Sequence, residues 1–131
     1  MLVLAVMGIA LGVAVPPLIG ALNRIEVAAA ASHIASAHTR ARLLAITRNQ
    51  VVVLTVDSLA LAIHSRGSPT PLWSENGPAQ TGISLTGSGR AFMFSPEGFS
   101  LGLSNATLRV SRGKATRAVI VSRLGRVRVV P

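Results

Sequence analysis

The sequence has no cysteine and no tyrosine, one tryptophan, three phenylalanines and only four acidic residues in 131 positions. Without cysteine there is no disulfide, no thiolate nucleophile and no sulfur ligand for zinc, and the compartment is left open. The four acids, Glu26, Asp57, Glu75 and Glu97, are scattered and offer no carboxylate pair for general acid–base work. His33 and His38 are five positions apart on a helical pattern. That puts them about 140° apart around the axis, so they do not converge on a metal. Asp57 and His64 can meet across a hairpin, but no serine is singled out as their nucleophile. Gly87-Ser88-Gly89-Arg90 opens like a phosphate loop, yet it lacks the later glycine and the following helix, which makes it a turn. The scarcity of aromatics also removes the stacking platform expected of a single-strand nucleic-acid binder. These absences point away from an enzyme, and no cofactor, metal or small-molecule substrate is expected.

What is present is a long apolar run followed by a basic remainder. Residues 1–22 carry no polar side chain at all. As a helix they reach about 33 Å, enough to cross a bilayer core of ~30 Å. A cleaved signal peptide would carry a basic segment first, and none precedes this run. A buried soluble helix of ~20 unbroken apolar residues would be unusual in a chain this short. The favoured reading is a transmembrane helix kinked at Pro16 and Pro17, which remove two backbone donors. The remaining ~109 residues hold one domain. Twelve arginines and one lysine give a net charge of +9, which implies attraction to phosphate-rich partners, nucleic acid or anionic lipid. A basic surface that merely follows an arginine-rich genome is equally compatible with the composition.

Residues 23–49 continue the helix. Val27, Ala30, Ile34, Ala37, Ala41 and Leu44 draw one narrow stripe of small and apolar residues, suited to close packing on another helix or a sheet. From residue 50 the period changes to two. Strands are predicted at 51–56, 59–64, 83–85, 91–94, 99–103, 106–111, 115–122 and 126–130, with 65–81 as a loop rich in Gly, Pro and Ser. The expected architecture is α+β: an assembly and membrane segment at 1–22, a helix entering the head at 23–49, and a small antiparallel β head at 50–131. The helix stripe is expected to pack on one antiparallel sheet.

The last third of the chain concentrates charge. Between Gly98 and Pro131 lie Arg109, Arg112, Lys114, Arg117, Arg123, Arg126 and Arg128, with no acid. Alternation along the last strand sets Arg126 and Arg128 on one face and Val127 and Val129 on the other. Arg112 and Lys114 at one turn and Arg123 at the next are expected to extend that patch. Gly125 allows a tight turn just before the two arginines. Such a cluster can hold phosphates without reading bases. The competing reading is a solvated strand face that protects an edge.

The apolar run Leu2-Val3-Leu4-Ala5-Val6-Met7-Gly8-Ile9-Ala10, with Ala14-Val15-Pro16-Pro17-Leu18, resembles the N-terminal helix of type IV pilins and pseudopilins. The head resembles the GspH/FimT group. Its marks are the Arg42-to-Arg48 helix end before a valine-rich strand, Phe94-Ser95-Pro96-Glu97-Gly98, and Gly125-Arg126-Val127-Arg128. The resemblance spans nearly the whole chain. It implies a minor subunit of a type II secretion pseudopilus or a type IV pilus, assembling with other pilin or pseudopilin subunits through Leu4, Met7, Ile9, Pro16 and Pro17 of the helix. Precursors in that family carry a basic leader, a Gly-Phe-Thr-Leu-type cleavage site and a glutamate directly before the apolar run. Met1 stands just after the position of that glutamate, which implies either a true start upstream of Met1 or an unprocessed copy; the expectation is the first, with the upstream reading frame encoding these elements. Arg24 is the nearest charge to the run, and the positive-inside tendency alone would place the head in the cytoplasm. A basic leader reverses this, and the resemblance implies inner-membrane anchoring with a periplasmic head. Gly125-Arg126-Val127-Arg128 is also similar to a C-terminal motif linked to DNA binding in uptake pilins. Double-stranded DNA is therefore the second expected partner, after the assembly role.

Overall fold

A computed structural model describes residues 1–87, 89–102 and 105–131. Ser88 of the expected Gly87–Arg90 turn and Leu103 of the expected 99–103 strand lie outside the described residues.

One helix, α1 (Leu2–Thr47), runs for 46 residues with Pro16 and Pro17 inside it, and its helical assignment is unbroken through both prolines. It stops slightly earlier than expected, and the stop has a local cause. The Arg48 and Gln50 N–H groups donate to the Leu44 and Ala45 carbonyls, and Asn49 takes a left-handed φ of 51°. This backbone reversal satisfies the last carbonyls of the helix. The valine run that follows then enters the sheet.

Nine strands follow: β1 (Val52–Val56), β2 (Ala60–Ser65), β3 (Pro71–Asn76), β4 (Ser84–Thr86), β5 (Arg90–Phe94), β6 (Ser100–Leu101), β7 (Ala106–Arg112), β8 (Ala115–Val121) and β9 (Val127–Val130). They form two antiparallel sheets where one was expected, ordered β3-β2-β1-β5-β6 and β4-β7-β8-β9. The segment 65–81, read as a loop, contains β3 and a short 3-10 helix (Pro78–Thr81). Local composition hid β3, because Pro71 starts it at an irregularity in the β2–β3 register, and Trp73 pairs with Ile63. As a sheet edge, β3 tolerates a proline that a central strand would not.

Both sheets close over one face of the helix. Val27, Ala31, Ile34, Ala37, His38, Ala41 and Ala45 are its buried residues. They pack in one core with Val52, Leu54 and Val56 of β1, Ile63 of β2, Phe92 and Phe94 of β5, and Leu108, Val110, Val119 and Val121 of β7 and β8. The stripe is rotated slightly from the expected one, since Ala30 and Leu44 are only partly buried while Ala31, His38 and Ala45 are fully inside. The alanines let the sheets approach the helix closely, and Phe94 and Leu54 fill the space they leave. Each large apolar side chain so buried contributes about 1.5–3 kcal/mol. The first part of the helix has no such cover. Leu4, Met7 and Ile9 are 71%, 60% and 70% exposed, and Pro16 and Pro17 are exposed too.

Candidate functional site

Two surfaces stand out chemically: the uncovered apolar half of α1, and a basic groove at the other end of the head. The apolar half is long and apolar enough to cross a membrane, and the head covers none of it from Leu2 to Ile19.

The groove lies between α1 and the edge strand β9. Its walls include His38, Thr39 and Arg42 from the helix and Ser122, Gly125, Arg126 and Arg128 from the β8–β9 turn and β9, around a volume of about 460 Å³. The turn is built by its own hydrogen bonds. The Ser122 N–H donates to the Arg126 carbonyl at 2.9 Å, the Gly125 N–H to the Ser122 carbonyl at 3.0 Å, and the Arg126 N–H to Ser122 Oγ at 3.2 Å. Gly125 has φ 75°, and a side chain there would begin 2.9 Å from Ser100 Oγ of β6. Glycine is favoured there by its backbone angle, and a side chain would also have to displace the Ser100 hydroxyl. Gly98, also at positive φ, sits equally close to the helix end, where a side chain would meet Ile46 at 2.9 Å and Arg42 Nε at 3.3 Å. The Ser95–Gly98 turn is thus docked against Arg42. Ser95 is buried in that turn, and its hydroxyl lowers the pKa of the exposed Glu97 carboxyl by hydrogen bonding. Three segments distant in sequence, the helix end, the Ser95–Gly98 turn and the Gly125–Arg128 strand entry, converge here.

His38 is the unusual member. It is 2% exposed, stacked edge-on to Phe94 (4.9 Å between centroids) and Phe92 (5.9 Å), and its Nε2 has no hydrogen-bond partner among the described residues. Burial, with the Arg42 charge adding to it, pushes its pKa down to about 4, so the ring is neutral at physiological pH. Sequence reasoning compared His38 with His33 and missed its pairing with Arg42. The available signal was their spacing of four residues, which stacks them on one helix face.

The other expected members of the patch lie elsewhere. Arg112 donates from Nη1 to the Thr81 carbonyl at 3.2 Å, and Gly113, between Arg112 and Lys114, abuts Asn23 near the end of the apolar run. Asn23 and Arg42 are separated by about 28 Å along the helix. Arg112 and Lys114 therefore belong to the opposite end of the head, because β8 runs its full length between the two turns. Arg123 lies on the turn leading into Gly125 and makes an interaction of its own.

The remaining polar candidates do not assemble. Asp57 caps the β1–β2 turn, accepting from the Ser58 N–H at 2.8 Å, while His64 pairs with Val53 several residues up the hairpin. His33 instead contacts Glu75 at 3.4 Å on the exposed side of the helix. Arg90 begins β5, with the Gly89 N–H bound to the Val56 carbonyl, so a strand and not a helix follows Gly89. Among the described residues no group of three His, Asp or Glu side chains is placed to hold a metal ion.

The comparisons with known proteins agree with this architecture. The family model for the type II transport protein GspH matches residues 30–125. The structure is similar to that of the type IV minor pilin FimU of Pseudomonas aeruginosa (strain PAO1) in two crystal forms. In space group P21 the TM-score is 0.67 at 18% identity, covering 82% of this chain and 90% of that one. In space group P65 it is 0.61 at 17% identity, covering 79% and 91%. No curated protein sequence matches the chain. The fold is thus pilin-like, a long N-terminal helix built into an antiparallel β head, and the chain belongs to the GspH family.

Proposed function

We propose that this chain is a minor pilin or pseudopilin subunit that enters a pseudopilus or type IV pilus by packing its apolar half-helix among those of neighbouring subunits. The observation that carries the reading is the division of α1: one half forms the core of the head, and the other is apolar and bare from Leu2 to Ile19. In this reading the bare half is held in the inner membrane before assembly, and the head faces the periplasm. A side chain added at Gly8 or Gly12 would meet none of the described residues beyond the helix's own turns within 4 Å, and such small residues permit close helix contact. Ile9→Lys introduces a charge on that surface. It is expected to remove the protein from the sheared filament fraction of the native host, while Ile9→Leu leaves it there. Equal amounts of Ile9→Lys and parent in that fraction contradict the reading.

A second reading is favoured by one specific observation. Arg126 and Arg128 flank a groove with Arg42, and among the described residues no carboxylate pairs with any of the three. That supports contact with the phosphates of duplex DNA. Affinity should then fall steeply with salt, by about 0.9 in log–log slope per phosphate engaged, with little sequence preference. Arg126→Ala/Arg128→Ala should weaken binding and flatten that slope. Duplex binding that the double variant leaves intact excludes these residues as its carrier.

A further inference from the structure

The basic residues that the groove leaves out gather at the opposite end of the head, where the apolar run stops. Asn23 is the first polar side chain after residues 1–22, and the β7–β8 hairpin is seated on it. Gly113, at the hairpin tip, has φ 60°, and a side chain there would begin 2.9 Å from Asn23 Nδ2. Arg112 ties the same hairpin to a second point of the base, donating from Nη1 to the Thr81 carbonyl at 3.2 Å. That bond uses one of five guanidinium donors and leaves the charge whole. Lys114, on the far side of Gly113, and Arg24, the residue after Asn23, are exposed. Among the described residues none of these three cations pairs with a carboxylate, since the ion pair found is His33 with Glu75. Glu26, the nearest acid along the helix, instead lines a hollow between α1, β3 and the 3-10 helix. Leu22 and Ile25, at 52% and 65% exposure, keep apolar surface at the same level.

We propose that Arg24, Arg112 and Lys114 form a collar that binds anionic phospholipid headgroups and holds the base of the head against the bilayer surface. The proposal rests on the membrane anchoring of the apolar run proposed above, and it adds the partner and the residues that meet it. A helix over residues 1–22 reaches about 33 Å against a hydrocarbon core of ~30 Å, so Asn23 and the hairpin seated on it come level with the phosphates. Guanidinium forks and the Lys114 ammonium donate to phosphate oxygens there. Each cation beside a membrane span favours an anionic surface by about a fivefold factor. A zwitterionic headgroup sets its own cation beside each phosphate, so the collar selects lipids of net negative charge. Because the hairpin is seated on α1, the attraction acts on the whole head rather than on a loose turn. The groove arginines add nothing to it, since about 28 Å along the helix far exceeds a Debye length of ~8 Å.

The chain has no cysteine, so one introduced at Thr116, exposed on β8 beside the hairpin, takes a single fluorophore. The labelled full chain is inserted into nanodiscs of phosphatidylcholine, or of phosphatidylcholine mixed with phosphatidylglycerol, each with the same headgroup-quenching lipid. Stronger quenching in the anionic discs, reversed by high salt, is the expected result. Arg24→Gln/Lys114→Gln removes two exposed cations and should lower the ratio of docked to lifted heads about 25-fold. Arg48→Gln/Arg66→Gln removes the same charge at the far end of the head, where the Arg66 N–H donates to the Val51 carbonyl just past the helix end. That variant should quench as the parent does. Equal quenching in the two lipids, with the chain held in the disc, overturns the collar and leaves the membrane reading standing. Loss of quenching by both double variants alike assigns the effect to overall charge and also overturns the collar. A chain that elutes apart from the discs overturns the collar together with the membrane reading.

Discussion

At the scale of single residues, His38 ties stability to pH. The unfolded chain protonates this ring near pH 6.5, whereas the folded chain resists until about pH 4. Between those values the unfolded state binds the extra proton, so stability falls as pH drops through the window and is independent of this group above it. The size of the effect is about 3 kcal/mol across the full window. Glu97 acts in the same direction at lower pH, since its lowered pKa means stability is lost as it takes up a proton. His38→Phe preserves an aromatic ring beside Phe92 and Phe94 and removes the titration. Thermal unfolding of the full chain in detergent should then be nearly flat between pH 4 and 6.5 in the variant and sloped in the parent. Equal slopes would assign the pH dependence to other groups. The spacing of five sets His38 and His33 on different sides of the helix, and the structure buries the first and exposes the second. The sequence did not disclose that burial, because a histidine among alanines reads the same on either side of a helix. The groove partners Arg42 and Gly125 are separated by most of the chain, and only the two-sheet closure brings them together.

At the scale of elements, the helix and its stripe were the most legible part of the chain. Val27, Ile34, Ala37 and Ala41 were expected inside and are inside, at 1%, 2%, 1% and 0% exposure. Three-four spacing sustained over several turns has no other structural meaning, whereas the shift toward Ala31 and Ala45 depends on where the sheets happen to sit. Apart from β3, which lies in the segment read as a loop, strand positions followed from alternation and glycine turns, the ends shifting by a residue or two. The partition into two sheets did not, since antiparallel pairing of β1 with both β2 and β5 is a long-range choice that period two leaves undetermined. The stripe makes a sharp prediction. Ala41 is fully enclosed between the sheets, so Ala41→Arg must bury a guanidinium or push the sheets off the helix, and either costs about 3 kcal/mol or more. A large drop in the denaturation midpoint of the full chain in detergent is expected. Arg42→Gln, one position along on the exposed face, serves as the control, and equal midpoints for the two would contradict the packing described.

At the scale of the whole molecule, the chain is polarised along its helix. The bare apolar half occupies one end. Next comes the level of Asn23, where Gly113 brings the Arg112–Lys114 hairpin beside the helix. Farther along, about 24–30 Å beyond the apolar run, is the groove of His38, Arg42, Arg126 and Arg128. Splitting the basic residues between two ends changes their meaning. With the apolar run in a bilayer, as proposed above, Arg112 and Lys114 would stand at the headgroup level and the groove arginines clear of it. Sequence reasoning placed all of them in one patch because turns adjacent in the chain were taken as adjacent in space; a seven-residue strand between two hairpins puts them at opposite ends. The central claim is that the bare half-helix is the surface through which the subunit assembles. It is tested most directly by a photo-crosslinking amino acid placed at Ile9 in the native host, with a second placed at Leu59, an exposed position on the head. Crosslinks from Ile9 to the N-terminal helices of other pilin or pseudopilin subunits, more abundant than from Leu59, are the predicted result. Crosslinks from Ile9 to lipid alone, under conditions where filaments are assembled and contain the protein, would contradict it.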